Sequence, residues 1–356
     1  MRTLQLRHAL AMLTAISVAA CSGTPATTSR TTSSPGATTS SSIADPATVA
    51  PRPIASATPE PSVFNQGRIA FVIGRDGGAD EDVQVIEAAD GSVVATVPRP
   101  GVSQNEAPTW EPDGRSLLFD SGRSGRIHLF RYGVETNAVT QLTFGDGFEG
   151  FPAVSPDGST VAFDHADEAA DLGIWLMDID GSNRRNLVPP PPAPAVDSAP
   201  VFSPDGSKLA FIRKFSTTPP NAREAAYIVN LDGTGLRQLT DPALDVGRIR
   251  WSPDGTRLAF SDQAENGSVG TLSQDIWLVD VDGSGLHQIT HNKPGVFTTL
   301  PDWSPDGSRL VMIGFRLGDD HNTIATMNPD GTDLRQIYAG PRLAFLEWPA
   351  WGDIKP

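Results

Sequence analysis

The chain has 356 residues, with 42 acidic side chains against 27 basic ones and a formal charge of −15. A surface of that sign disfavours nucleic acid and anionic lipid headgroups as partners, and the single cysteine excludes a disulfide framework. Length alone suggests two or three domains, but an internal repeat overrides that prior.

Residues 1–20 carry Arg2, Arg7 and His8, then an uncharged stretch from Ala9 to Ala20 that is too short to cross a bilayer as a helix. This pattern is that of an export signal. Val18-Ala19-Ala20-Cys21 resembles the lipobox of bacterial lipoproteins, which implies that Cys21 is lipidated and becomes the mature N-terminus. A cysteine with no disulfide partner in an exported chain favours that reading over an incidental one. Each buried methylene of an acyl chain contributes about 0.8 kcal/mol, so several chains would anchor the protein firmly. From Cys21 the segment 21–62 is dominated by Ser, Thr, Ala and Pro, cannot build a core, and is expected to be a disordered tether.

Residues 63–356 are organised around a ten-residue unit, seen most clearly from Trp251 to Phe260. Pro253 presets a turn angle, Asp254 can bond back to the local backbone, and Gly255 supplies the positive φ that ends the turn. Strand-forming residues flank it, so the unit predicts a β-hairpin. Copies run from Trp110 to Phe119, with Glu111 in the usual Ser place, from Val154 to Phe163, from Phe202 to Phe211 and from Trp303 to Met312. A second apolar run and an Asp-Gly turn follow most copies, at Asp180-Gly181, Asp232-Gly233, Asp282-Gly283 and Asp330-Gly331. Four antiparallel strands repeated at this period predict the blades of an all-β propeller.

Gly67 to Phe71 matches the second strand of the unit without its first, while Glu347 to Trp351 matches a first strand at the other end of the chain. Joined, they complete a blade, which gives six four-stranded blades in a ring closed by pairing of the N- and C-terminal strands. The repeat is similar to the six-bladed propeller of the TolB family and to propellers of prolyl-oligopeptidase-like peptidases. That resemblance implies the fold; propellers host many unrelated activities. The tether stands where TolB proteins carry an α/β domain, and no α/β-hydrolase domain of the peptidase kind is recognisable.

The Pro-Asp-Gly and Asp-Gly turns share one face of the ring, and the longer, variable connections lie on the other, where binding usually sits. Glu106, Glu149, Asp197 and Glu347 precede innermost strands, with Asp245 slightly further out, and Phe148, Phe151 and Trp348 lie beside them. These eight residues are expected to form an acidic, aromatic-edged channel mouth for a basic or amphipathic segment of an unknown envelope protein or peptide. Ordinary solvated loop carboxylates are the alternative, and Arg248 and Arg250 would partly neutralise such a mouth.

No Gly-x-Ser-x-Gly elbow, phosphate-binding glycine loop or free catalytic cysteine appears, so no catalytic residue, metal or cofactor is expected. His165 and His321, each beside Asp residues on the variable face, are the nearest approach to metal ligands. The expectation is therefore a non-enzymatic binding module, lipid-anchored on the extracytoplasmic side of a membrane. A propeller enzyme of the metal-dependent lactonase or polysaccharide-lyase type, or a sensory scaffold, is the alternative.

Overall fold

The computed structural model describes residues 67–353 apart from 76–79, 102–103, 168–171, 217–222, 263–272 and 343. The export signal, Cys21 and the tether lie outside the described residues.

The chain opens with β1 (Arg68–Arg75), β2 (Asp80–Glu87) and β3 (Val93–Thr96). A second set follows as β4 (Asn105–Trp110), β5 (Ser116–Ser121), β6 (His128–Gly133) and β7 (Ala138–Gln141), and a third as β8 (Phe148–Val154), β9 (Thr160–Ala166), β10 (Gly173–Asp178) and β11 (Arg185–Val188). The fourth is β12 (Val196–Phe202), β13 (Lys208–Ser216), β14 (Arg223–Asn230) and β15 (Arg237–Gln238). The fifth is β16 (Val246–Trp251), β17 (Arg257–Asp262), β18 (Ile276–Asp280) and β19 (His287–Gln288), preceded by a short 3-10 turn at Pro242–Leu244. The sixth is β20 (Val296–Trp303), β21 (Leu310–Arg316), β22 (Thr323–Met327) and β23 (Arg335–Ala339), and β24 (Phe345–Gly352) ends the series.

Each set forms one four-stranded antiparallel sheet, and β24 joins β1 to complete the first. The molecule is a six-bladed β-propeller whose first blade is closed by the last strand, as the complementary ends of the repeat predict. In that blade Ile69 pairs with Trp351 and Val72 with Glu347.

Local chemistry explains why the hairpins form. In the turn of the fifth blade the Gly255 N–H donates to the Ser252 carbonyl at 2.8 Å. The Ser252 hydroxyl donates to Asp254 at 2.6 Å, and the Thr256 N–H donates to the same carboxylate at 3.0 Å. Those hydrogen bonds, from Ser252 first and then from Thr256, hold the Asp254 carboxyl down at about 2. Ser155 with Asp157, Ser203 with Asp205 and Ser304 with Asp306 repeat the arrangement. In the second blade Glu111 replaces the serine and reaches Arg131 instead.

The core lies between blades. Six clusters of buried apolar side chains are found among the described residues, and each joins two neighbouring blades. Phe71, Phe119, Phe163, Phe211 and Phe260, one from the second strand of each of five blades, are fully enclosed. Three tryptophans that end innermost strands tie each blade to the one before it. The indole N–H of Trp110 donates to the Ala350 carbonyl, that of Trp251 to Val201 and that of Trp303 to Arg250.

Candidate functional site

The channel is lined by the six innermost strands, β4, β8, β12, β16, β20 and β24. The register of every one of them slips by a bulge at the same place, three residues before the residue that ends the hairpin's first strand. Ala107, Phe151, Ala199, Leu300 and Trp348 occupy that place in five blades, each with φ between 46 and 56° and each followed by proline. Proline has no N–H to give a ladder, so it is tolerated where a bulge interrupts pairing. In the fifth blade the same place holds Arg248, followed by Ile249.

Three of these side chains come from alternate blades and meet across the channel. The rings of Phe151, in the third blade, and Trp348, in the first, pack edge to face with centroids 5.2 Å apart. The Arg248 guanidinium, from the fifth blade, lies over the Trp348 ring at 5.1 Å. The three large side chains alternate with Ala107, Ala199 and Leu300, so the axis is occupied at this level.

A group of carboxyls sits beside this layer. Glu106 and Glu347 immediately precede Ala107 and Trp348. Asp120 pairs with Glu106 in register and accepts the Phe151 N–H of the next blade at 2.8 Å. Glu81 projects from the third strand of the first blade, and one of its oxygens is buried with no hydrogen-bond partner. Burial, then the charges of Glu347 and Asp120, raise Glu81 to about 8. Burial raises Glu347 to about 7 and Asp120 to about 6. Glu106 is pushed well above its ordinary value by burial and then by Asp120, Glu81 and Glu347. Close to neutral pH Glu81 and Glu347 are therefore partly protonated and can donate hydrogen bonds as well as accept them.

Of the eight residues the sequence places at the mouth, the structure brings Glu106, Phe151, Glu347 and Trp348 together. Glu149 is 1% exposed and committed elsewhere. It meets His128 Nδ1 at 2.6 Å, His165 at 3.3 Å and Arg184 at 3.2 Å. Burial pushes its carboxyl up, but hydrogen bonds from the two histidines and the Arg184 charge hold it below the usual range. Asp197 is fully buried in a two-pronged bond with Arg213, both contacts at 2.7 Å. Asp245 adopts a left-handed conformation after the 3-10 turn and accepts the Glu224 N–H at 3.1 Å. Phe148 is half-buried at the start of β8.

Arg250 faces Asp302 at 3.6 Å rather than the carboxyl group. His321 is exposed beside Asp320, and His165 packs against Trp175 at 4.6 Å. Sequence reasoning did not place Glu81 or Asp120 in the group. The signal that could have found the axial layer is the residue-proline pair near the end of five of the six inner strands, with Arg248 at the matching place in the remaining one.

Fold and site together define a propeller whose channel holds a group of carboxyls beside a layer formed by Phe151, Trp348 and Arg248. The chain matches the TolB beta propeller domain over residues 55–191 and 174–343 and belongs to that family. It is 39% identical over 97 residues to the Tol-Pal system protein TolB of Anaeromyxobacter dehalogenans, a match covering 27% of this chain and 21% of that protein. It is 23% identical over 265 residues to the oligogalacturonate lyase of Dickeya dadantii, covering 66% of this chain and 63% of the lyase. The chain thus spans less than two thirds of either relative. The crystal structure of TolB from Acinetobacter baumannii superposes with a TM-score of 0.62 at 21% identity, covering 80% of this chain and 66% of that one. Among the described residues no helix is long and apolar enough to cross a membrane.

Proposed function

We propose that the protein is an envelope lipoprotein, anchored through Cys21, that displays its propeller as a non-enzymatic module binding a segment of a partner protein or peptide at the channel mouth. The observation that carries the reading is the convergence of Glu106, Glu347, Phe151 and Trp348 on the channel, where rigid inner strands bring apolar rings beside carboxyls. The engagement of Glu149 and Asp197 in ion pairs narrows the contact surface to the first three blades. The match to a Tol-Pal system protein supports a role in protein interaction in general.

Crosslinked capture from the native envelope tests this. The intact protein is expected to hold a defined partner, and a variant with Glu106→Gln and Glu347→Gln to lose it while remaining folded. Capture that survives both substitutions would move the contact away from the mouth.

The anchor is tested separately. Cys21→Ser is expected to shift the protein from the membrane to the soluble fraction, and unchanged membrane retention would refute lipidation.

A second reading, a propeller enzyme, draws on the alignment with the oligogalacturonate lyase. Turnover of oligogalacturonate by the purified chain would favour it over the binding module.

A further inference from the structure

The fifth blade departs from the other five at one position. Where they place Ala, Phe, Leu or Trp before proline, it places Arg248, whose residue is 3% exposed and whose three guanidinium nitrogens are all buried without a hydrogen-bond acceptor. A charged group removed from water is costly unless it is paired. The face of Trp348 offsets part of that cost, but a ring face satisfies none of the five N–H donors.

We propose that Arg248 is the receptor for the C-terminal carboxylate of a peptide that enters the channel past Glu106 and Glu347. The proposal rests on the binding-module reading and specifies which end of the partner segment is held.

Geometry selects the ligand. A guanidinium presents parallel donors that match a planar carboxylate. Because Phe151, Trp348 and Arg248 meet across the axis, a chain cannot thread past them, and an end of a chain is what reaches the guanidinium. Ala199, the neighbour of Arg248 in the ring of bulge residues, carries only a methyl group.

Other charged groups nearby are already matched. Arg250 faces Asp302, Lys214 pairs with Glu224 at 3.0 Å, Arg213 holds Asp197, and Asp245 accepts the Glu224 N–H. Asp164 accepts the Ser198 hydroxyl and the Ala199 N–H, and the other carboxyls an incoming carboxylate would pass are Glu81, Glu106, Asp120 and Glu347. Burial favours the neutral forms of these four, so as the pH falls through about 8 to about 6 they progressively cease to repel an anion that passes them. Anion binding should then weaken as these carboxyls ionise.

The test is a calorimetric and NMR titration of the full chain with N-acetylglycine, using N-acetylglycinamide as the uncharged control. Saturable binding of the acid and none of the amide is expected. Binding should be lost in Arg248→Met, and it should weaken as the pH is raised across about 6 to about 8, where the group ionises. Ala199→Leu gives a second variant should Arg248→Met fail to fold. It keeps the charge but adds, at the neighbouring bulge position, the larger side chain that the sixth blade carries at Leu300, and it should also abolish binding.

Equal binding of acid and amide, or acid binding that survives Arg248→Met or Ala199→Leu in a folded protein, would overturn the proposal, as would no saturable binding of the acid. If a partner is captured while N-acetylglycine is not bound, the carboxylate receptor falls and the binding module stands. If N-acetylglycine binds and no partner is captured, the receptor stands and the partner reading falls.

Discussion

Deleting Trp348 to Pro356 is expected to remove the cooperative unfolding transition of the whole propeller, not of one blade. The deletion takes away the Ile69–Trp351 and Ala70–Ala350 pairings and the acceptor of the Trp110 indole. It also exposes the oxygen of Asp302 that accepts the Trp351 N–H at 3.0 Å. Trp348 alone is buried against Phe151 and Arg248, and loss of a buried Trp costs roughly 3–5 kcal/mol. With the pairings and the rest of β24 added, the loss approaches the roughly 5–15 kcal/mol that holds an ordinary domain folded. Each core cluster is shared by two blades, so opening the ring leaves the clusters on both sides of the first blade incomplete. Thermal and urea unfolding followed by tryptophan fluorescence and circular dichroism would report this. An unaltered transition in the truncated protein would show that β24 does not close the fold. The single substitution Trp348→Ala should give a smaller loss of the same kind, with the transition retained.

The second large effect is an unusual dependence of stability on pH. Glu81, Glu106, Asp120 and Glu347 have folded pKa values raised above their unfolded ones, so between those values the folded state holds more protons than the unfolded state. Their contribution is fully present below the ordinary values of 3.8 for Asp120 and 4.5 for the glutamates and is lost as pH rises through about 6, 7 and 8. The turn carboxylates act in the opposite direction. Asp157, Asp205 and Asp254 are held at about 2 by hydrogen bonds from serine hydroxyls and then from backbone and side-chain donors of the turn. Their contribution is present above 3.8 and is lost as pH falls toward 2.

The melting temperature should therefore peak on the acid side of neutrality and decline toward pH 8. Replacing Glu81 and Glu347 by Gln removes two of the ionisations. Every tenfold change in the acidity of a carboxyl between the unfolded and folded chain corresponds to about 1.4 kcal/mol, and 1 kcal/mol moves the melting temperature by about 2–4 °C in a domain of this order of size. The double variant should melt several degrees higher than the wild type at alkaline pH and show a flatter profile. A wild-type melting temperature constant from acid to alkaline pH, or a double variant that is less stable at alkaline pH, would show that these carboxyls are not buried together. Partial ionisation shared among the group makes the two substitutions less than additive.

The same carboxyls connect stability to binding. A site that keeps several acids neutral by burial holds unfavourable electrostatics in reserve, and such arrangements gather where function requires them. A cationic segment would draw the group toward its ionised form and bind better as pH rises, whereas a carboxylate at Arg248 requires the reverse. The sign of the pH dependence of binding therefore distinguishes the two kinds of partner segment without knowledge of the partner itself.

By itself the sequence determined the hairpins, their number and the manner of closure, because the interactions that specify them are local. The Ser252, Asp254 and Thr256 hydrogen bonds lie within a few residues of one another, and alternating strand residues set which side chains turn inward. The complementary half-units at the two ends were equally legible, since a missing first strand and a surplus one can be recognised by comparison with the intact copies. The repeat leads to the expectation that Glu106, Glu347, Glu149 and Asp197 lie near the mouth. Which of them meet one another was settled only by the tertiary structure. His128 reaches Glu149 from the preceding blade and Arg184 from the turn before β11, whereas Arg213 faces Asp197 across a single hairpin. The axial layer of Phe151, Trp348 and Arg248 depends most fully on the fold. Its members come from alternate blades and touch only when the ring has closed, so neither their contact nor the burial that shifts the nearby carboxyls has a local signature in the sequence.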